Sequence, residues 1–239
     1  MNRLTGRYLN QAGFTLVEIM ITVAIAGLVM GGVYTTFTSQ QQTYVAQDQV
    51  VEAQQSARAA MNLMAREIRM ANYAPMNGGA GITTALPTQI VFTAEVDTVG
   101  TQQTIQYSLY DAYADGDNDI GRTVGAAAVV PLAENIDALE FFYLDEDNNP
   151  TTTASEIKTV QISILARASR PDQNFHNTFE YFPASCPQPA PPAAANYTMV
   201  DGTGIDGTAW DLNPGTANNI APNDNFRRRL LVTTVTLRN

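Results

Sequence analysis

The chain has 239 residues, 45% hydrophobic and only 15% charged, which is ample for a core and excludes wholesale disorder. A formal charge of −10 and a pI near 4.4 repel phosphate and argue against a nucleic-acid partner. One cysteine, Cys186, and one histidine, His176, exclude an intrachain disulfide and a Cys/His zinc site. Nucleophilic catalysis would have to pass through a single imidazole in a polar stretch.

Residues 1–13 carry Arg3 and Arg7 and no acid, whereas the 24 residues from Phe14 to Phe37 carry one charge, Glu18. As a helix this segment would be about 36 Å long, enough for a bilayer core of about 30 Å. Positive charge ahead of it predicts a cytoplasmic amino end. The run is too long for an ordinary secretory signal, and no small-x-small site closes it. A lone membrane carboxylate costs roughly 2.5–3.5 kcal/mol unless paired. Glu18 can be drawn up into the headgroups. It can also pair with the α-amino group that cleavage after Gly13 would create on Phe14, in its own chain or a neighbour.

Gly13-Phe14-Thr15-Leu16-Val17-Glu18 resembles the class III signal of type IV prepilins and pseudopilins. The resemblance implies that a membrane aspartyl peptidase cuts after Gly13 and N-methylates Phe14. It also implies that Glu18 sets the register of each subunit against its neighbour in a filament. Residues 1–13 are then a leader and 14–37 a transmembrane and filament-core helix.

The helical pattern continues. Apolar residues at Val50, Ala53, Ala57, Met61, Met64, Ile68 and Ala71 mark one face, with Gln, Arg, Asp and Glu on the other. The amphipathic half is expected over 38–74, packed on a globular domain, and Pro75 with its glycines ends it. Gly27, Gly31 and Gly32, each costing about 1 kcal/mol relative to alanine, suit either close helix packing or a segment that unwinds during assembly.

Residues 75–239 read as a β-rich head. Strands are expected at Gln89–Val96, Thr104–Tyr110, Ile136–Leu144, Ile157–Ala168 and Arg228–Leu237, with a weaker one at Thr178–Phe182. The fold class is α+β, pilin-like, with a long helix on an antiparallel sheet. An insert at 183–225, rich in Pro, Asn and Gly and free of Lys and Arg, reads as a binding loop or mobile segment. Trp210 within it reads as a local anchor.

Gln54–Arg58, Met64–Tyr73, Ala133–Tyr143 and Arg227–Asn239 are similar to the helix region, central strand and closing strand of PilW-type minor pilins. The resemblance implies a non-enzymatic subunit that joins other minor and major pilins through its N-terminal helix. It would help initiate a type IV pilus and sit at its tip, with a tip adhesin as a candidate partner. The chain would be held in the inner membrane, head periplasmic, and then be extracellular in the pilus. A GspJ-like pseudopilin of type II secretion, or an adhesin or receptor subunit contacting its ligand through 183–225, are the alternatives.

Three further patterns carry less. Gly202-Thr-Gly-Ile-Asp-Gly207 matches a dinucleotide fingerprint by letter, but Pro214 denies the helix that should follow. Asp115, Asp117 and Asp119, near Asp111 and ahead of Gly121, are a weak calcium candidate, and Asp145–Asn149 repeats the theme less well. The glycine is misplaced for an EF-hand and the twelfth-position glutamate is missing, so solvated turns are the simpler expectation. No other cofactor is expected. Arg227, Arg228 and Arg229 alternate along a strand and suit pairing with surplus acid better than DNA.

Overall fold

A computed structural model describes residues 13–71, 81–95, 102–114, 116–186, 210 and 222–238. One helix, α1 (Leu16–Arg69), is followed by eight strands: β1 (Ile82–Leu86), β2 (Gln89–Glu95), β3 (Gln102–Tyr110), β4 (Asp119–Val124), β5 (Val130–Ala133), β6 (Ile136–Leu144), β7 (Thr159–Arg167) and β8 (Arg228–Thr236). The chain divides into two compact units, Met1–Val45 and Ala46–Asn239.

The described part of the first unit is Gly13–Thr15 and the leading turns of α1. No proline interrupts the run, and the helix passes unbroken through Gly27, Gly31 and Gly32. α1 contains a window of mean hydropathy 2.2, long and apolar enough to cross a membrane.

In the second unit α1 buries a stripe: Ala57, Ala60, Met61, Met64, Glu67 and Ile68. Arg66 and Arg69 in the last turn oppose the negative end of the helix dipole. Its terminal carbonyls are taken up by Met70 N–H to Glu67 O (3.0 Å), Ala71 N–H to Ile68 O (2.9 Å) and Arg238 N–H to Arg69 O (3.1 Å).

The strands form two antiparallel sheets, one of five strands in the order β1-β2-β3-β4-β5 and one of three, β6-β7-β8. Alternate residues of both sheets meet the helix stripe in a single core. Ile90, Phe92, Ile105, Tyr107 and Ile120 come from the first sheet and Leu139, Phe141, Tyr143, Ile162, Ile164 and Val235 from the second. The sheets are stitched together by Phe141 N–H to Pro87 O (2.6 Å) and Ile136 N–H to Asn118 O (2.7 Å). Tyr143 adds a hydroxyl bond to Leu86 O at 2.8 Å. Asn135, at φ +58°, makes the tight turn into β6 that an asparagine tolerates. At Gly121 a Cβ would lie 2.5 Å from the Tyr110 ring, so only glycine lets Tyr110 and Val129 close over β4.

Four expectations need correction. Glu67 lies in the buried stripe and not on the polar face. Thr178–Phe182 is not a strand: only an isolated bridge, Asn177 to Asp224, is formed, because Asn177 Oδ1 accepts the Phe179 N–H in a local turn. β1, β4 and β5 form where no strand was expected. Asp119 and Gly121 belong to β4, so the acidic turn ends before them.

Candidate functional site

The described part of the N-terminal signal begins at Gly13 and Phe14, in non-helical backbone, with Phe14 84% exposed. Thr15 then caps α1. Its hydroxyl accepts the Glu18 N–H at 3.2 Å. The Glu18 carboxylate in turn accepts the Thr15 N–H and hydroxyl, each at 3.2 Å. This reciprocal capping box satisfies backbone donors at the helix start and places a negative charge at the positive end of the dipole. The string T-x-x-E spells it, and the pairing of Glu18 with its own Thr15 is a third way to satisfy the carboxylate. Beyond it Leu16, Val17, Ile19, Met20, Ile21 and Val23 are all exposed.

Residues 8–34 match the family described as the prokaryotic N-terminal methylation motif. The chain carries a prepilin-like signal. The motif covers Gly13, Phe14, Thr15 and Glu18 and supports a type IV pilin-like protein, processed by a prepilin peptidase and assembled with other pilins. No curated protein matches the chain.

The head of this pilin-like chain joins its helix to the larger sheet through charge. Glu67, 8% exposed, accepts Arg122 Nε at 3.0 Å and Nη2 at 2.7 Å, and the Tyr107 hydroxyl at 2.5 Å. Tyr107 and Arg122 are opposite residues on β3 and β4. Burial, then the adjacent carboxylate, pushes the Tyr107 phenol far up, so it remains a donor. The hydrogen bond to Glu67 raises the Arg122 guanidinium. Sequence reading missed this triad, although position 67, three residues after Met64, already falls in the apolar spacing.

A second network fastens the start of β8. Arg228, only 4% exposed in its side chain, forks onto Asp224 at 2.7 Å twice and also pairs with Asp137. Arg167 pairs with Asp117 and lies 4.5 Å over the Phe226 ring. Arg227 pairs with Asp172 at 2.8 Å and stacks 4.3 Å over Phe175. Two of the three clustered arginines thus meet acid, and Arg229 is exposed. Burial raises the Asp137 carboxyl despite its two arginines. Burial would also raise Asp172 and Asp224. For Asp172 the Asn174 backbone N–H and Arg227 outweigh it, and for Asp224 Arg228 and the Phe226 N–H do so, holding both below the usual range.

The calcium candidates are dispersed among protein partners. Asp117 faces Arg167, buried Asp119 accepts the Ala112 N–H at 2.9 Å, and Asp111 accepts the Gly116 N–H at 3.1 Å. Asp115 lies outside the described residues. Asp145 accepts the N–H groups of Asp147 (2.9 Å) and Asn149 (2.8 Å) in a turn. Among the described residues no three metal-ligating side chains lie together. His176 meets Asn223 at 2.9 Å, and Cys186 is buried.

Most of the 183–225 insert, with Gly202–Gly207, lies outside the described residues. Its described parts cover the outer face of the smaller sheet. Ala184 N–H reaches Ser163 Oγ at 2.9 Å, the Ser185 hydroxyl reaches Glu140 at 2.6 Å, and Trp210 packs with Ala138 and Leu165. The Trp210 N–H donates to Tyr181 O at 3.1 Å. This is the anchoring role expected of the tryptophan.

Proposed function

We propose that the chain is a minor pilin of the PilW type, cut after Gly13 and N-methylated on Phe14. It helps initiate a type IV pilus and rides at its tip. The observation that carries this reading is a methylation motif on a long helix whose large apolar side chains from Leu16 to Val45 are exposed among the described residues. Burying that helix requires first a bilayer and then neighbouring helices. Glu18 then exchanges its Thr15 contact for the terminal amine of a neighbour and sets register. The bulky acidic head, with its insert and the PilW-like strings in helix and closing strand, supports a low-copy subunit over a shaft subunit. Packing and charge pairing are its whole chemistry, with no catalytic step of its own.

Intact mass and amino-terminal sequence of the protein from membranes or sheared filaments test the reading. The expected chain begins at N-methylated Phe14. An intact Met1, in cells with active prepilin peptidase, would overturn it.

A further inference from the structure

The buried stripe of α1 is made of small and flexible residues, Ala57, Ala60, Met61, Met64 and Ile68, with Glu67 its single polar member. Alanine offers no knob to lock against a facing surface, and methionine reshapes itself to fill the space it meets. Apolar contact is also non-directional. Such a stripe holds the helix against the sheets without fixing its level along them.

A slip of three residues moves a helix about 4.5 Å along its axis and turns it by about 60°. In one direction Arg58 would enter the site of Met61, 7% exposed, and the cost of burying a cation closes that slip. In the other, Ala60 enters the site of Ala57, Met64 that of Met61, Met70 that of Glu67 and Ala71 that of Ile68. Apolar replaces apolar throughout the stripe, and Leu63 for Ala60 is its one clearly bulkier exchange. The polar obstacle is Glu67 itself. It would be carried into the site of Met64, 0% exposed, while a methionine faced the Arg122 guanidinium and Tyr107 hydroxyl that Glu67 now accepts. The Arg238 N–H bond to Arg69 O joins backbone to backbone, so it reads no side chain and can be remade with another carbonyl of the last turn.

We propose that Glu67 is a register key: with Tyr107 and Arg122 it selects one level of α1 on the sheets out of two that the apolar stripe would accept. A lone buried polar group that specifies register at some cost in stability is the device found at core positions of coiled coils. Directional bonds supply what the stripe lacks. A carboxylate gripped by a planar guanidinium from β4 and a hydroxyl from β3 fits in one place only. Every copy of the chain then carries its head at the same level of the helix.

The test reads the level of the helix directly. Spin-labelled noncanonical residues are placed at Asn62 on α1 and at Thr104 on β3 or Thr236 on β8, all exposed, in the full-length chain in detergent. Pulsed electron resonance then measures each distance, and the parent should give one value per pair. Erasing the key with Glu67→Met/Tyr107→Phe/Arg122→Met should keep or raise the unfolding midpoint. It should also add a second distance in at least one pair, as expected of a helix moved by about 4.5 Å. Moving the key with Leu63→Ala/Glu67→Met/Met70→Glu should give a single displaced distance, whereas Leu63→Ala alone should keep the parental one. A purely stabilising Glu67 would leave parental distances in every folded variant. Parental distances in the moved-key chain, or its failure to fold where Leu63→Ala folds, would overturn the key. A single parental distance in the folded erased-key chain would overturn it as well, and if that chain does not fold the moved key decides alone.

Discussion

The two stretches of α1 are built from one uninterrupted helix and behave as different materials. Up to Val45 its apolar residues are exposed all round. From Ala57 on, six residues of a single stripe are buried against the chain's own strands. A helix hydrophobic on every side needs an environment, whereas one with a stripe needs only a partner face. The two glutamates of the contrast make the same point. Glu18 is held by a neighbour three residues away, so releasing it touches only the capping box at the start of α1. Glu67 is held by residues 40 and 55 positions away on two strands, so releasing it undoes the head. Local satisfaction suits a group that must change partners, and distant satisfaction suits one that must not.

The largest effect separates these carboxylates. Glu67→Ala leaves the Arg122 guanidinium and the Tyr107 hydroxyl without their acceptor and should cost about 3–5 kcal/mol of head stability, read by denaturant unfolding followed through Trp210 fluorescence. Glu18→Ala should leave that midpoint in place, and an equal loss would erase the contrast. Next come small residues. Ala57→Leu overfills a site with no exposed surface and should cost about 1–3 kcal/mol. Ala24→Leu, in the exposed stretch, should stay within about 0.5 kcal/mol.

The smallest effect concerns acid and lies off the helix. Asp172 and Asp224 titrate below the ordinary 3.8 in the folded head, so the unfolded chain binds more protons around that pH. Their stabilisation is complete above it and is lost as pH falls through the folded values. Asp137 is raised, so its contribution runs the other way and declines as pH climbs from 3.8 through its folded value. Asp224→Asn should therefore flatten the acid limb of a stability–pH curve, and an unchanged limb would remove the β8 clamp from the account.

What was legible in the sequence follows from how local the signals are. The signal string, the apolar run and the 3–4 spacing through Ile68 are short-range patterns, and α1 appears where they fall. Ile136–Leu144, dense in aromatic and aliphatic residues, forms a strand with those bounds. β4, with Asp119, Gly121 and Arg122 among its six residues, looks like a turn because its charged members are satisfied elsewhere: Arg122 by a residue 55 positions back, Asp119 by the loop it closes. β5 hides behind Pro131, which an edge strand accepts because its missing N–H faces no partner. The Glu67 triad exists only once the helix and the larger sheet are brought together, and no window of sequence contains it.

The bond from Arg238 to Arg69 joins residues roughly 170 positions apart, beside the pairing of β7 with a final strand that follows the whole insert. During synthesis the helix emerges first and β8 last. Until that final strand arrives, the stripe from Ala57 to Ile68 has an incomplete cover and the end of α1 an open carbonyl. The head is thus a structure whose core is complete only when β8 is in place.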